Sequence, residues 1–245
     1  MTEEFAVETS ELSKYYGELK AVDDVRINIP KGCIYGLIGP NGAGKTTLFK
    51  MFTGSLKPTE GTVKILNGEP GGSRVSKLMG YMPQGTALYE GLTVEENLDQ
   101  FAGLYGLKGV EYGKRKDEIL DFVGLKHRRK SMTSELSGGM KKRLSLGISI
   151  LHSPELLLLD EPTVGVDPEL KAEFWKNFRE LVDRGNTIVI TTHYLAEADR
   201  CDKIGMLYDG RLILEDSPEA VLDGTDSSDL EEAFLKIVKE QKGGD

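Results

Sequence analysis

Leu136-Ser137-Gly138-Gly139-Met140, followed at a short distance by Leu156-Leu157-Leu158-Leu159-Asp160-Glu161, is the stretch that decides the fold of this 245-residue chain. Ser137 is a good helix N-cap, and residues 143–151 are helix-compatible. A helix N-terminus that offers glycine N–H groups and a serine hydroxyl is an anion site. The four leucines describe a strand buried on both faces, as in a parallel sheet. Such a strand delivers Asp160 and Glu161 at its carboxyl end, where ligands bind in these folds.

Upstream, Gly39-Pro40-Asn41-Gly42-Ala43-Gly44-Lys45-Thr46 fits the G-x-x-x-x-G-K-[ST] pattern. It follows an apolar run at residues 33–38 and opens a helix at residues 46–52. Glycines let the backbone curl so that several N–H groups point at phosphate oxygens, and the helix aims its positive end at the same anion. Lys45 is placed to reach the β- and γ-phosphates, the Thr46 hydroxyl to ligate Mg²⁺, and Thr47 to add an α-phosphate contact. Asp160 can hold the Mg²⁺ through water, and Glu161 can polarise the attacking water as general base. Acidic residues after a strand often just cap the next helix, and Pro162-Thr163 would suit a cap. The pairing with the phosphate loop decides against that reading. A domain that cradles phosphates in one loop has no evident need for a second anion site at Ser137. The excess makes sense if that site serves the nucleotide of another copy.

Working outward, residues 5–29 alternate like antiparallel strands, with Val25, Ile27 and Ile29 on one face. Strands are expected at residues 63–66 and 78–82, separated by a glycine-rich loop at residues 67–73. From residue 93 to 152 the character is helical: Leu98, Phe101, Ala102 and Tyr105 recur at 3/4 spacing, as do Ile119, Phe122 and Val123. Strand character returns at Leu156–Asp160, Thr187–Thr192 and Lys203–Tyr208, with a helix at residues 168–184 between the first two. Strand–helix–strand order implies a parallel sheet. Tyr208-Asp209-Gly210-Arg211 reads as a hairpin turn. A polar linker at residues 223–229 precedes an amphipathic stretch at residues 230–238.

Bulk properties narrow the classes. Hydrophobic content of 39% and charged content of 29% describe an ordinary globular protein able to bury a sizeable core. No apolar run approaches the roughly 18–20 residues that span a bilayer, and the acidic start does not read as a secretory leader. The formal net charge of -9 argues against nucleic acid as a partner. The basic run Lys126-His127-Arg128-Arg129-Lys130 is expected to be a solvated loop. Cys33 and Cys201 make neither a disulfide framework nor a metal spacing, and Cys33 is expected as a small buried thiol in a strand.

Taken together, these motifs resemble the ATP-binding cassette family, the nucleotide-binding subunits of ABC transporters, over residues 5 to 222. Lys45 and Thr46 match its Walker A loop, Asp160 and Glu161 its Walker B strand, and Ser137, Gly138 and Gly139 its signature. The resemblance implies further roles. Gln84 matches the glutamine that touches Mg²⁺ and senses the γ-phosphate, and His193 matches the switch histidine. Tyr16 matches the aromatic that stacks on adenine, with Tyr15 next door as the alternative. Val164-Gly165-Val166-Asp167 matches the D-loop of the dimer contact. Two departures stand out. Met140 replaces a glutamine, so a secondary polar contact should weaken, and the D-loop is a variant.

The fold this implies is α/β: a P-loop NTPase core with a mainly parallel sheet, an N-terminal antiparallel β-subdomain and an inserted α-helical subdomain. Residues 1–222 would form the ATPase domain, with the insertion near 85–150, and residues 223–245 a C-terminal helical extension. The implied cofactors are ATP and Mg²⁺. The implied partners are a second ATPase subunit, as homodimer or heterodimer with another cassette, and an integral membrane permease. The permease would dock near residues 84–98, with Leu88, Tyr89 and Leu92 as contacts or as subdomain core. The chain would then be cytoplasmic, peripheral on the inner face of the cell membrane. The segment Gly91–Leu92-Thr93-Val94-Glu95-Glu96-Asn97-Leu98 is similar to bacterial drug-exporter ATPase subunits, and importer subunits and non-transport cassette ATPases are the alternatives. A P-loop kinase or switch GTPase is disfavoured by the Leu-Ser-Gly-Gly motif and the lack of an Asn-Lys-x-Asp guanine motif.

Overall fold

A computed structural model describes residues 4–243, the side chains of residues 242 and 243 excepted. The chain starts with β1 (Phe5–Tyr16), β2 (Leu19–Val25) and β3 (Asn28–Pro30), then runs through β4 (Ile34–Ile38), α1 (Lys45–Phe52) and β5 (Glu60–Ile65). After α2 (Ser73–Leu78) and β6 (Met79–Met82) come three helices: α3 (Val94–Leu104), α4 (Gly109–Phe122) and α5 (Gly138–Ile150). Next are β7 (Leu156–Asp160), α6 (Pro168–Asp183), β8 (Thr187–Thr192), α7 (Leu195–Ala198), β9 (Lys203–Tyr208) and β10 (Arg211–Asp216). Helices α8 (Pro218–Thr225) and α9 (Leu230–Gly243) follow.

Six strands form the main sheet in the order β10-β9-β4-β8-β7-β6, all neighbours parallel except the β9–β10 hairpin. Alternation along each central strand splits the interior in two, because successive side chains leave opposite faces. Leu157 and Leu159 enter one buried cluster, together with Ile34, Ile188 and Ile190. Leu156 and Leu158 enter the other, with Leu37 and Val189. The first cluster is closed by Leu98, Ile119, Leu146, Phe174 and Phe178 from α3 to α6 and by Ala233 and Ile237 of α9. The second is closed by Leu48 and Phe52 of α1 and by the antiparallel sheet, which contributes Val7, Val22 and Ile29. In that sheet β1 pairs with β5 along one edge and with β3 and β2 along the other.

The inserted helices begin at a capping box: Glu96 N–H donates to Thr93 Oγ1, and the Thr93 N–H donates to the Glu96 carboxylate. The architecture is the expected one, but several boundaries move. Ser73, expected to end a loop, and Leu78, expected to open a strand, are instead the two ends of α2, and the strand begins at Met79. Residues 223–225, expected in a linker, are the last turn of α8, whose start is set by the Ser217 cap and Pro218. Leu230, Ala233 and Ile237 then return α9 to the main core, so the C-terminal segment is packed against the sheet-bearing body. Cys33 lies just before β4, half-buried, with its thiol 3.2 Å from Pro30 O, rather than within a strand.

Candidate functional site

Strand β4 is buried along its whole length and ends at Ile38, which fixes where the loop at residues 39–44 begins. The loop approaches its neighbours so closely that only glycine fits at two places. A Cβ on Gly39 would lie 2.2 Å from Leu207 O, and one on Gly44, at φ +105°, 2.5 Å from Ala21 O. Gly44 is the N-cap of α1 and offers no side-chain acceptor, which leaves the first-turn N–H groups free of a side-chain cap. Lys45 is buried, and its ammonium donates to Gly39 O at 2.6 Å and Pro40 O at 3.0 Å. Burial holds its pKa below the usual lysine range, against the pull of Glu161 and Asp160.

β7 ends beside this loop. The Thr46 hydroxyl lies 3.4 Å from Asp160 Oδ2, and Thr191 donates to Asp160 Oδ1 at 2.5 Å. Asp160 is buried, which pushes its carboxyl above the ordinary aspartate range despite the Thr191 hydrogen bond. Glu161 is also buried, at φ +49°, and its N–H donates to Thr191 Oγ1 at 2.9 Å. Its two carboxylate oxygens are held separately. Gln84 Nε2 donates to Oε2 at 2.7 Å, and His193 Nδ1 lies 3.1 Å from Oε1. Gln84, Glu161 and His193 come from three distant parts of the chain and meet at one carboxylate.

The wall of this region is a cavity of about 640 Å³ lined by Tyr16, Lys20, Gly42, Gly44, Thr46 and Thr47 among others. Tyr16 is half exposed there, while the Tyr15 hydroxyl turns to Glu60 Oε2 at 3.3 Å. Of the two tyrosines, Tyr16 faces the cavity. Asn41 is exposed and Ala43 buried, with the Ala43 N–H donating to Pro40 O. The candidate metal-binding oxygens are the Thr46 hydroxyl and the Asp160 carboxylate, with the amide oxygen of Gln84 on the side chain that bonds Glu161. That all-oxygen set suits Mg²⁺, which keeps waters and takes only one or two protein ligands beside phosphate oxygens. Among the described residues no group of three or more His, Cys, Asp or Glu side chains forms a metal cage.

Ser137, Gly138 and Gly139 lie elsewhere. Ser137 Oγ accepts the Met140 N–H at 3.3 Å and caps α5. Gly139 lets α5 approach α6, since a Cβ there would lie 2.8 Å from Leu170 Cδ2. Ser137, Gly139, Met140 and Asp167 line a separate cavity of about 510 Å³ that shares no residue with the first. Met140 packs against the main apolar cluster, a contact its thioether makes and an amide would not. Asp167 caps α6, its Oδ1 accepting from the Leu170 N–H at 3.0 Å. Leu88 packs against the core, whereas Tyr89 is about half exposed with its ring 5.8 Å from that of Phe101. The basic run faces solvent, with Lys126 paired to Asp121 and Arg129 to Glu95 and Asp117.

Three residues escaped sequence reasoning. The Thr191 hydroxyl links the Asp160 carboxylate to the Glu161 backbone N–H. Lys142 Nζ donates to the main-chain carbonyls of Glu161, Pro162 and Val164. Buried Glu197 accepts from the Thr163 hydroxyl at 2.6 Å and pairs with Lys171 at 3.0 Å. Only the threonine pair before His193 carried a signal, as polar residues at the end of an apolar strand.

The loop, the sheet order and the carboxylates define a P-loop nucleotide-binding fold. The family pattern for ABC transporters matches residues 22–164, more than half of the chain. This chain belongs to the ABC transporter family. It is 40% identical to the probable multidrug ABC transporter ATP-binding protein YbhF of Escherichia coli (strain K12), over 96% of this chain and 42% of that protein. It is 38% identical to the Nod factor export ATP-binding protein I of Sinorhizobium fredii, over 94% of this chain and 68% of that protein. The chain thus spans less than half of the YbhF length. Among solved structures, an ATP-binding subunit of an ABC transporter superposes with a TM-score of 0.87 at 30% identity, covering 95% of this chain and 99% of the other. The cbiO1 protein from Clostridium perfringens, part of the ABC transporter complex cbiONQ, gives 0.80 at 30% identity, covering 90% and 92%.

Proposed function

We propose that this chain binds and hydrolyses ATP as the nucleotide-binding subunit of an ABC exporter. The single observation that carries the reading is Glu161, held by Gln84 and His193 on its two oxygens and set beside the Asp160–Thr46 pair and Lys45. Each Glu161 oxygen has one such partner and retains a further lone pair for a water, which is what a general base requires. Lys45 exchanges its two carbonyl partners for phosphate oxygens, and the amides at the start of α1 complete the cradle. Thr46 and Asp160 would hold Mg²⁺, which would supply charge neutralisation at the transferring phosphoryl group. Tyr16 offers an aromatic face to the adenine.

Ser137, Gly138 and Gly139 lie on a cavity apart from that of Lys45, which favours a site completed by a second cassette, identical or related. The partner that moves substrate is a membrane permease, which places the chain at the inner face of the membrane. No helix among the described residues is long and apolar enough to cross a membrane. The exporter assignment rests on the multidrug and Nod factor export names of its relatives. In this reading residues 1–222 are the cassette, with the helical insertion near 85–150, and residues 223–245 its extension.

The test is phosphate release from Mg-ATP by the purified chain and its Glu161→Gln variant. The variant should bind ATP, persist as a dimer and lose about 10²- to 10⁴-fold in kcat. Wild-type turnover in Glu161→Gln removes Glu161 as the base, and failure of the wild-type chain to bind ATP removes the whole reading.

A further inference from the structure

Lys142 lies on the same helix as Ser137, yet its side chain leaves the signature end and reaches the turn that follows β7. Its ammonium has three N–H donors, and three carbonyls receive them: Glu161 O at 3.2 Å, Pro162 O at 3.3 Å, and Val164 O. The first of these carbonyls belongs to Glu161 itself. Glu161 stands at φ +49°, a left-handed conformation that a residue with a Cβ holds only when its surroundings fix it. On the other side, Thr163 of the same turn is held by buried Glu197. A cation on α5 and an anion on α7 therefore grip one four-residue turn, and the turn sets the direction in which the Glu161 carboxylate leaves the backbone.

We propose that Lys142 is a positioning residue for ATP hydrolysis: it locks the main chain of Glu161 and ties the aim of that carboxylate to the seat of the signature helix. This rests on the reading of Glu161 as the base. No other side chain is recorded as bonding to the carbonyls of Glu161, Pro162 or Val164 among the described residues, and the lysine stem is half-buried, so water replaces the ammonium poorly. Lys142 does not line the cavity at Tyr16 and Thr47. Its loss should act on the chemical step and leave nucleotide affinity alone.

The experiment measures kcat and KM for Mg-ATP in the full chain for Lys142→Met, Lys142→Gln and Lys142→Arg, with Glu161→Gln alongside and far-ultraviolet circular dichroism as the check on folding. Methionine keeps the stem without donors, glutamine restores two neutral donors, and arginine restores charge and donors. We expect kcat to fall at least tenfold in Lys142→Met, less in Lys142→Gln and least in Lys142→Arg, with KM within twofold of wild type throughout. A folded Lys142→Met with wild-type kcat overturns the proposal. So does a loss shared equally by kcat and KM, or one that arginine does not relieve. If Glu161→Gln is inactive while Lys142→Met is unimpaired, only the positioning role has failed. If Glu161→Gln turns over normally, the base reading beneath it has failed.

Discussion

The Thr191 hydroxyl donates to Asp160 Oδ1 at 2.5 Å, and the same oxygen accepts the Glu161 N–H at 2.9 Å. One side chain on β8 thereby sets two consecutive residues at the end of β7: it steadies the carboxylate of Asp160 and the backbone of Glu161.

Replacing that hydroxyl by a methyl of equal size tests the bridge. Thr191→Val should cost about 1–3 kcal/mol of stability, because a buried acceptor and donor lose their partner together. It should also raise the Mg²⁺ concentration for half-maximal hydrolysis, since Asp160 then ionises less readily. Thr191→Ser should recover most of both. Thermal melts with a Mg²⁺ titration of activity read the two effects; an unchanged titration in Thr191→Val counts against the bridge.

Asp160 exposes a conflict between holding charge and holding the fold. Its pKa is raised by burial, so the folded state binds the proton more tightly than the unfolded chain does. Protonation therefore favours the folded state: the stabilising effect is complete below the unfolded pKa and is lost as pH rises through the higher folded one. At neutral pH without metal, Asp160→Asn should melt a few degrees above wild type while losing Mg²⁺-dependent hydrolysis. A lower melting temperature in metal-free buffer would contradict the burial argument.

Ser137 bears on assembly rather than on folding. Ser137→Arg places bulk and charge on the cavity that Gly139 and Asp167 share, and the helix cap it removes is worth only about 1 kcal/mol. ATP binding by single copies should persist, while cooperative hydrolysis and the ATP-induced dimer seen by size-exclusion disappear. A variant that still dimerises and hydrolyses with wild-type cooperativity would speak against a composite site.

The parts of the molecule legible from sequence are those written in local spacing. The glycines of residues 39–44 announce a loop before α1, and four leucines before Asp160 announce a strand with both faces buried. Ser137 announces a cap. Gln84 and His193 were legible through resemblance, because each ends a strand of the same sheet. Lys142, Thr191 and Glu197 were not, since their partners lie 19 to 34 residues away and nothing in a helix or strand pattern marks which face meets them. The preference for Tyr16 over Tyr15 comes from the resemblance; the structure adds that the Tyr15 hydroxyl turns towards Glu60 while Tyr16 lines the cavity. Ser217-Pro218 is a start signal for α8, but the polar residues 223–229 read as a linker and hide its last turn.

β7 belongs to two interiors at once, one on each face, and has a paired strand on each side. Asp160 thus ends a strand with little room to shift, and Glu161 follows it directly. Three side chains from other elements converge there: Gln84 from just beyond β6, His193 from just beyond β8 and Lys142 from α5. Asp160 is the fixed end of the strand, and the orientation of Glu161 is shared with the elements that meet it.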